Sequence, residues 1–428
     1  MKDELYSAYV KILEEELLPA MGCTEPIAIA FGGACIRELL GTVPKTVTIK
    51  VSGNLIKNAK SVTVPNTDGM RGIEAALAAG IVAGNAKRQL EVIAEIKAEE
   101  IPKIKEYLDT GAITVELLDT ELAFDYIISA KAGCESAVIR VANAHTNIVY
   151  KEKNGKALLD TRVDDESVTG LSDHSVLSVK DIIEFADSLD IADVYPLIKK
   201  QIDYNVAICD EGIKNSWGAA IGKTILNFGA TDSINRAKAR AAAGSDARMN
   251  GCAMPVVILS GSGNQGITAS VPLVSYAEDI LADEESLIRA IVVSDLIAIH
   301  LKTYIGRLSA FCGAVCAGVG AGAGVCYLDG GRYEEIAHTV VNALAISSGI
   351  ICDGAKSSCA AKIALSVEAG FMGWNMYKGG NQFYRGDGIV SAGVERTIRN
   401  VGTLGHDGMK DTDRKILEIM TSDSAGCM

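Results

Sequence analysis

Gly41-Thr-Val-Pro-Lys-Thr-Val-Thr-Ile-Lys-Val-Ser52 marks the point where one structural pattern gives way to another. Gly41 and Pro44 punctuate a helical stretch, and residues 46–52 then alternate apolar and polar side chains as a half-buried strand does. Short β-type runs follow at 61–64, 113–117 and 137–142, and Asn154-Gly155 supplies the positive φ that a hairpin turn needs. Helical stretches are expected among them at 72–84 and 90–98. Upstream, residues 1–16 read as an amphipathic helix with Leu5, Tyr9, Ile12 and Leu13 along one face. Downstream of a polar stretch at 160–175 the pattern is helical, in Ala-, Ile- and Leu-rich runs separated by glycine breaks. The expected architecture is α+β: a mainly helical domain, residues 1–42 and 166–428, interrupted by a smaller inserted α/β domain at 43–165.

A chain of 428 residues buries enough apolar surface to fold without disulfides, and an odd count of eleven cysteines leaves at least one thiol unpaired. The thiols are therefore expected to be reduced. A net charge of -13 disfavours sequence-independent nucleic-acid binding, which needs a basic surface. No basic leader precedes an apolar run at the start, so a cytoplasmic location is expected. Residues 308–328 carry no charge and have the length of a membrane span, but their Gly, Ala and Cys supply little transfer energy. A close-packed buried helix is expected there.

Three segments carry candidate chemistry. The first is Phe311-Cys312-Gly-Ala-Val-Cys316 together with Cys352-Asp-Gly-Ala-Lys-Ser-Ser-Cys359. The Asp-Gly turn can bend two sulfurs towards one centre and leave amides free to hydrogen-bond them, and Cys312, or Cys316 in its place, would be the third thiol. On spacing alone, which is neither a zinc ribbon nor a ferredoxin run, these cysteines read more readily as small buried hydrophobes. The second is Met21-Gly-Cys23-Thr-Glu-Pro26, where a helix N-terminus favours a thiolate; Cys23 is a base, a ligand or a buried junction thiol. The third is Ser260-Gly-Ser262-Gly-Asn264-Gln265-Gly266, whose successive amides form a nest for a carboxylate or phosphate. A polar turn at 64–72 containing Asn66 either closes over a substrate or faces solvent. The five histidines include no H-E-x-x-H and no i, i+4 pair, and the glycines of 318–324 do not follow a strand as a dinucleotide fingerprint requires.

Taken together, Gly22-Cys-Thr-Glu-Pro26, Val64-Pro-Asn-Thr-Asp-Gly69, the Ser260–Gly266 turn and the Cys352–Cys359 segment resemble the L-cysteine desulfidase family over essentially the whole chain. The late cysteine segments resemble, more distantly, the iron-sulfur L-serine dehydratases. The resemblance implies a 4Fe-4S cluster held by Cys312, Cys352 and Cys359 with one iron left open, and Cys23 as the catalytic cysteine. The implied reaction is a non-redox β-elimination of L-cysteine to pyruvate, ammonia and sulfide. Ser260, Ser262, Asn264 and Gln265 would hold the substrate, with Asn66 and Lys356 as further polar contacts. In the dehydratases a C-terminal cysteine can occupy the open iron, and Cys427 would be its counterpart.

Three alternatives stand beside this reading. They are an L-serine ammonia-lyase on the same cluster, a pyridoxal-phosphate β-eliminase that leaves the cysteines unexplained, and a non-catalytic amino-acid-binding protein with thiols used for packing. The expected partner is a small amino acid, with no nucleic acid or membrane, and a homodimer is the default assembly.

Overall fold

The computed structural model describes residues 2–163 and 171–422. Helix α1 (Asp3–Glu16) leads through β1 (Pro19–Met21) into α2 (Thr24–Leu40). Next come β2 (Thr46–Val51), α3 (Gly53–Ala59), α4 (Gly72–Ala83), α5 (Ile101–Asp109) and β3 (Ile113–Leu117), then β4 (Asp125–Ala132), β5 (Glu135–Ala142), β6 (Ile148–Lys153) and β7 (Lys156–Asp160). The helical remainder begins with α6 (Val179–Ser188), α7 (Ile191–Lys214), α8 (Ile221–Phe228) and α9 (Ser233–Met249). After β8 (Pro255–Val257) it continues with α10 (Gly263–Ile280), α11 (Glu284–Ile305), α12 (Gly313–Leu328), α13 (Tyr333–Ser347), α14 (Cys359–Lys378), α15 (Val394–Thr403) and α16 (Lys410–Ser422). The class is α+β, a helical bulk with an inserted strand region.

Strands β2 to β7 form one mixed sheet in the order β3-β2-β4-β5-β6-β7, parallel only between β2 and β3. Its buried side carries Val47, Ile49 and Val51 from β2, Tyr126, Ile128 and Ala130 from β4, and Ala137, Ile139 and Val141 from β5, the period of two that a one-sided sheet requires. Helix α2 covers that face, and the Tyr126 hydroxyl donates to the Ala28 carbonyl at 2.6 Å. The expected strands at 46–52, 113–117 and 137–142 form, and the β6–β7 hairpin turns at Asn154 (φ 51°) and Gly155 (φ 76°).

Two local expectations fail. The run at 61–64 makes only an isolated bridge, Thr63 with Arg71. Residues 90–98 form no regular helix: a 3-10 turn over Ala86–Glu91 is broken at Gln89 (φ 48°), and Leu90, Val92 and Ile93 are buried without a 3.6-residue spacing. Contact of this turn with α2 and β1 replaces the amphipathic face that a helix there would need.

Helix α12 lies at the centre of the helical part, against α10, α11, α13 and α14. Small residues are what let it sit there. A Cβ at Gly318 would stand 2.3 Å from the Ser366 carbonyl oxygen, and one at Gly370 would stand 2.2 Å from that of Gly318, so the α12 and α14 backbones touch. The uncharged stretch at 308–328 is thus an interior packing element, and no helix among the described residues is long and apolar enough to cross a membrane.

Candidate active site

A cavity of about 700 Å³, including its open mouth, lies where four helices begin. Cys23 is the N-cap of α2, Ser262 that of α10 and Cys312 that of α12, while Cys359 is the first residue of α14. All four line the cavity. Each N-terminus presents unpaired amides and a partial positive charge, so their convergence makes the cavity favourable for anions and ionised sulfur.

Distant segments are locked together to build it. Strands β1 and β8 pair antiparallel, and the Thr24 hydroxyl donates to the Gly261 carbonyl at 2.9 Å, tying the Cys23 junction to the glycine turn. Elsewhere on the cavity lining Phe311 bridges Ile351: the Cys312 amide donates to the Ile350 carbonyl at 3.0 Å and the Cys352 amide to that of Ala310 at 2.6 Å. This bridge sets Cys312 beside Cys352. Gly354 then turns the chain towards α14 at φ 96°, a position with no room for a side chain because a Cβ would stand 2.2 Å from the Lys57 carbonyl oxygen. The Cys359 thiol ends 3.7 Å from the Gly354 carbonyl, which accepts from it.

Burial dominates the thiol electrostatics. It pushes Cys312 up to about 12, with the neighbouring Cys352 adding to the effect, and it raises Cys359 as well. Cys23 is pushed up by burial and then by the Glu25 carboxylate, to which its Sγ donates at 3.6 Å. The helix terminus alone favours a thiolate at Cys23, so here desolvation and a like charge outweigh the dipole.

Cys23, Ser262, Asn264, Gln265, Cys312, Cys352 and Cys359 all come together on the cavity wall. Asn66, Ser260 and Lys356 do not line it. The Asn66 amide donates to the Ile93 and Ala94 carbonyls at 3.1 and 3.3 Å, while neighbouring Pro65 packs on Gly22 behind Cys23, so that turn props the junction. Ser260 occupies the turn itself at φ 47°, and Lys356 pairs with Asp353 at 3.5 Å. Cys316 is fully buried one turn into α12 and is not on the wall. Cys427 lies outside the described residues.

Sequence reasoning missed the charges. Arg248 from α9, Lys302 from α11 and Arg307 line the cavity, against the single carboxylate of Glu25. Arg307 is neutralised by Glu16, but neither Arg248 nor Lys302 makes an ion pair among the described residues. Burial lowers the pKa of Lys302, offset by the nearby sulfurs of Cys316, Cys352 and Cys312. The one available signal was a lone lysine in the apolar run Ile297-Ala-Ile-His-Leu-Lys302 and an arginine beside the Ala-rich interior of α9.

Among the described residues no three His, Cys, Asp or Glu groups close around a point where a single metal ion would sit. Cys312, Cys352 and Cys359 all line the cavity, with Cys312 and Cys359 at helix N-termini, and three thiols are the donor chemistry that a cysteine-ligated multi-iron cluster takes.

Four thiols, two cations without an ion pair among the described residues and four helix N-termini thus meet at one cavity, a setting that favours anions. The chain belongs to the serine dehydratase alpha chain family, whose model matches residues 87–418. That family is one of iron-sulfur dehydratases, lyase-type enzymes. Similar proteins include UPF0597 proteins of Desulfitobacterium hafniense (56% identical, covering 98% of this chain and 97% of the relative), Lachnoclostridium phytofermentans (46%; 97% and 100%) and Treponema denticola (45%; 98% and 98%).

Proposed function

We propose that this protein is an L-cysteine desulfidase, which converts L-cysteine and water to pyruvate, ammonia and sulfide in the cytoplasm. The observation that carries the reading is that Cys312, Cys352 and Cys359 line one cavity together with Cys23. These three thiols would hold a 4Fe-4S cluster. When bound, it supplies a Lewis-acidic iron with a free coordination position for the β-substituent of the substrate.

The remaining work falls to side chains. Cys23 removes the substrate α-proton as a thiolate formed when its own proton passes to Glu25; burial and that carboxylate hold the thiol well above its ordinary pKa, so the thiolate, once formed, is a strong base. The Glu25 carboxylate, which accepts from that sulfur at 3.6 Å, is placed to take the Cys23 proton before the reaction and to return none of it to the substrate carbon. Ser262, Asn264 and Gln265 orient the amino acid so that its Cα–H bond faces Cys23. Aminoacrylate leaves the site and hydrolyses to pyruvate and ammonia.

The family membership also favours a second reading, deamination of L-serine at the same centre. Anaerobic purification, followed by parallel assays of sulfide and pyruvate from L-cysteine with L-serine as competitor, separates the two. Sulfide and pyruvate formed in equal amounts support the desulfidase; pyruvate from L-serine alone rejects it.

A further inference from the structure

Arg248 is the most deeply buried cation in the cavity wall, 2% exposed. Its Nη1 donates to the Asn264 side-chain oxygen at 3.1 Å, and its Nε is buried with no partner at all. Gly263 makes room for it, since a Cβ there would stand 2.4 Å from Nε. A charged group taken out of water without a counter-ion is costly, and a protein that needed Arg248 only for packing would place an apolar residue there. The glycine turn thus acts by seating an arginine as well as by offering amides.

We propose that Arg248 is the anchor for the substrate α-carboxylate, and therefore that the site takes small amino acids with a free carboxyl group and rejects their esters and decarboxylated amines. This rests on the amino-acid lyase reading above. A planar fork of donors matches a carboxylate in two parallel hydrogen bonds, which a lysine cannot do. The position is also right: Arg248 and Cys23 line the same cavity, and in an α-amino acid the carboxylate is one bond from the carbon that loses its proton. Asn264 takes a hydrogen bond from Nη1 alone, so the guanidinium keeps donors that no side chain among the described residues satisfies, Nε among them.

The test is calorimetric titration of anaerobically prepared holoenzyme with 3-mercaptopropanoate, which has thiol and carboxylate, and with cysteamine, which has thiol and amine only. In Arg248→Met, affinity for 3-mercaptopropanoate falls at least about 30-fold while that for cysteamine is unchanged. In Asn264→Asp, an internal carboxylate competes for the fork, and 3-mercaptopropanoate binds about 10-fold more weakly although the arginine is intact. The melting temperature of Arg248→Met is equal to or above that of the parent, because an uncompensated buried charge is removed. Equal affinity of parent and Arg248→Met for 3-mercaptopropanoate, parallel loss of both ligands, or a lower melting temperature overturns the anchor. If the parent binds 3-mercaptopropanoate through Arg248 yet forms no sulfide or pyruvate from L-cysteine, the lyase assignment fails and the anchor stands.

Discussion

Replacing Gly354 by alanine probes the turn that carries Cys352 into Cys359. Two penalties arise at once. The backbone at φ 96° is one that a residue with a Cβ adopts only at a cost of about 1–2 kcal/mol. The new methyl also meets the Lys57 carbonyl oxygen at 2.2 Å, and that oxygen belongs to α3, whose position is fixed by the buried Lys57–Asp413 ion pair. Overpacking against fixed backbone adds about 1–3 kcal/mol. Gly380 is the matched control, with φ 75° and nothing within 4 Å of where a methyl would stand, so Gly380→Ala incurs the backbone penalty alone. The expected difference between the two variants, measured by denaturant unfolding of the apo proteins, is about 1–3 kcal/mol. Iron bound per chain after anaerobic reconstitution should fall in Gly354→Ala and stay at the parent level in Gly380→Ala. If Gly354→Ala is as stable as Gly380→Ala and binds iron normally, the turn does not set the sulfur positions and the argument is wrong.

Further expectations concern single side chains. Cys352→Ala and Cys359→Ala should each abolish the visible absorbance and bound iron of the reconstituted protein; retention of both in either variant removes that residue from the ligand set. Cys23→Ser should keep the iron and lower turnover of L-cysteine by at least about 100-fold, the usual weight of a general base, and normal turnover would place the base elsewhere. Asp295 is fully buried, accepts from the Gln201 amide at 3.0 Å, and is pushed up to about 8 by desolvation. Its folded-state pKa lies above the unfolded one, so the folded form binds the extra proton and stability drains away as pH rises from about 4 through 8. Asp295→Asn should therefore match the parent near pH 4 and melt at a higher temperature near pH 8; a difference independent of pH would contradict the linkage.

How much of this was legible beforehand depends on how local each cause is. Alternation at 46–52 and the Asn154-Gly155 turn are decided by neighbours in sequence, and both formed as expected. Strand β4 was not anticipated, although it pairs with both β2 and β5 in the sheet. Apolar residues at 90–93 were drawn into contacts with α2 and β1 that no local period encodes. The cysteine and glycine motifs were conspicuous because their residue types are chemically distinctive, whereas Arg248 and Lys302 look like ordinary charges until burial without a counter-ion singles them out.

The amino-acid order alone determined the helices at 3–16 and 72–83, the strands at 46–51 and 113–117, the Asn154-Gly155 turn, and which residue types are available for thiol chemistry, since capping, turn and periodicity rules act over a few residues. Only the tertiary structure decided that four helix N-termini meet at one cavity, that Asn66 and Lys356 stand away from it, and that Arg248 lines it with no ion pair among the described residues. The physical reason is that desolvation and long-range electrostatics depend on what surrounds a group in space, and residues 23, 248, 312 and 359 become neighbours only when the whole core has packed.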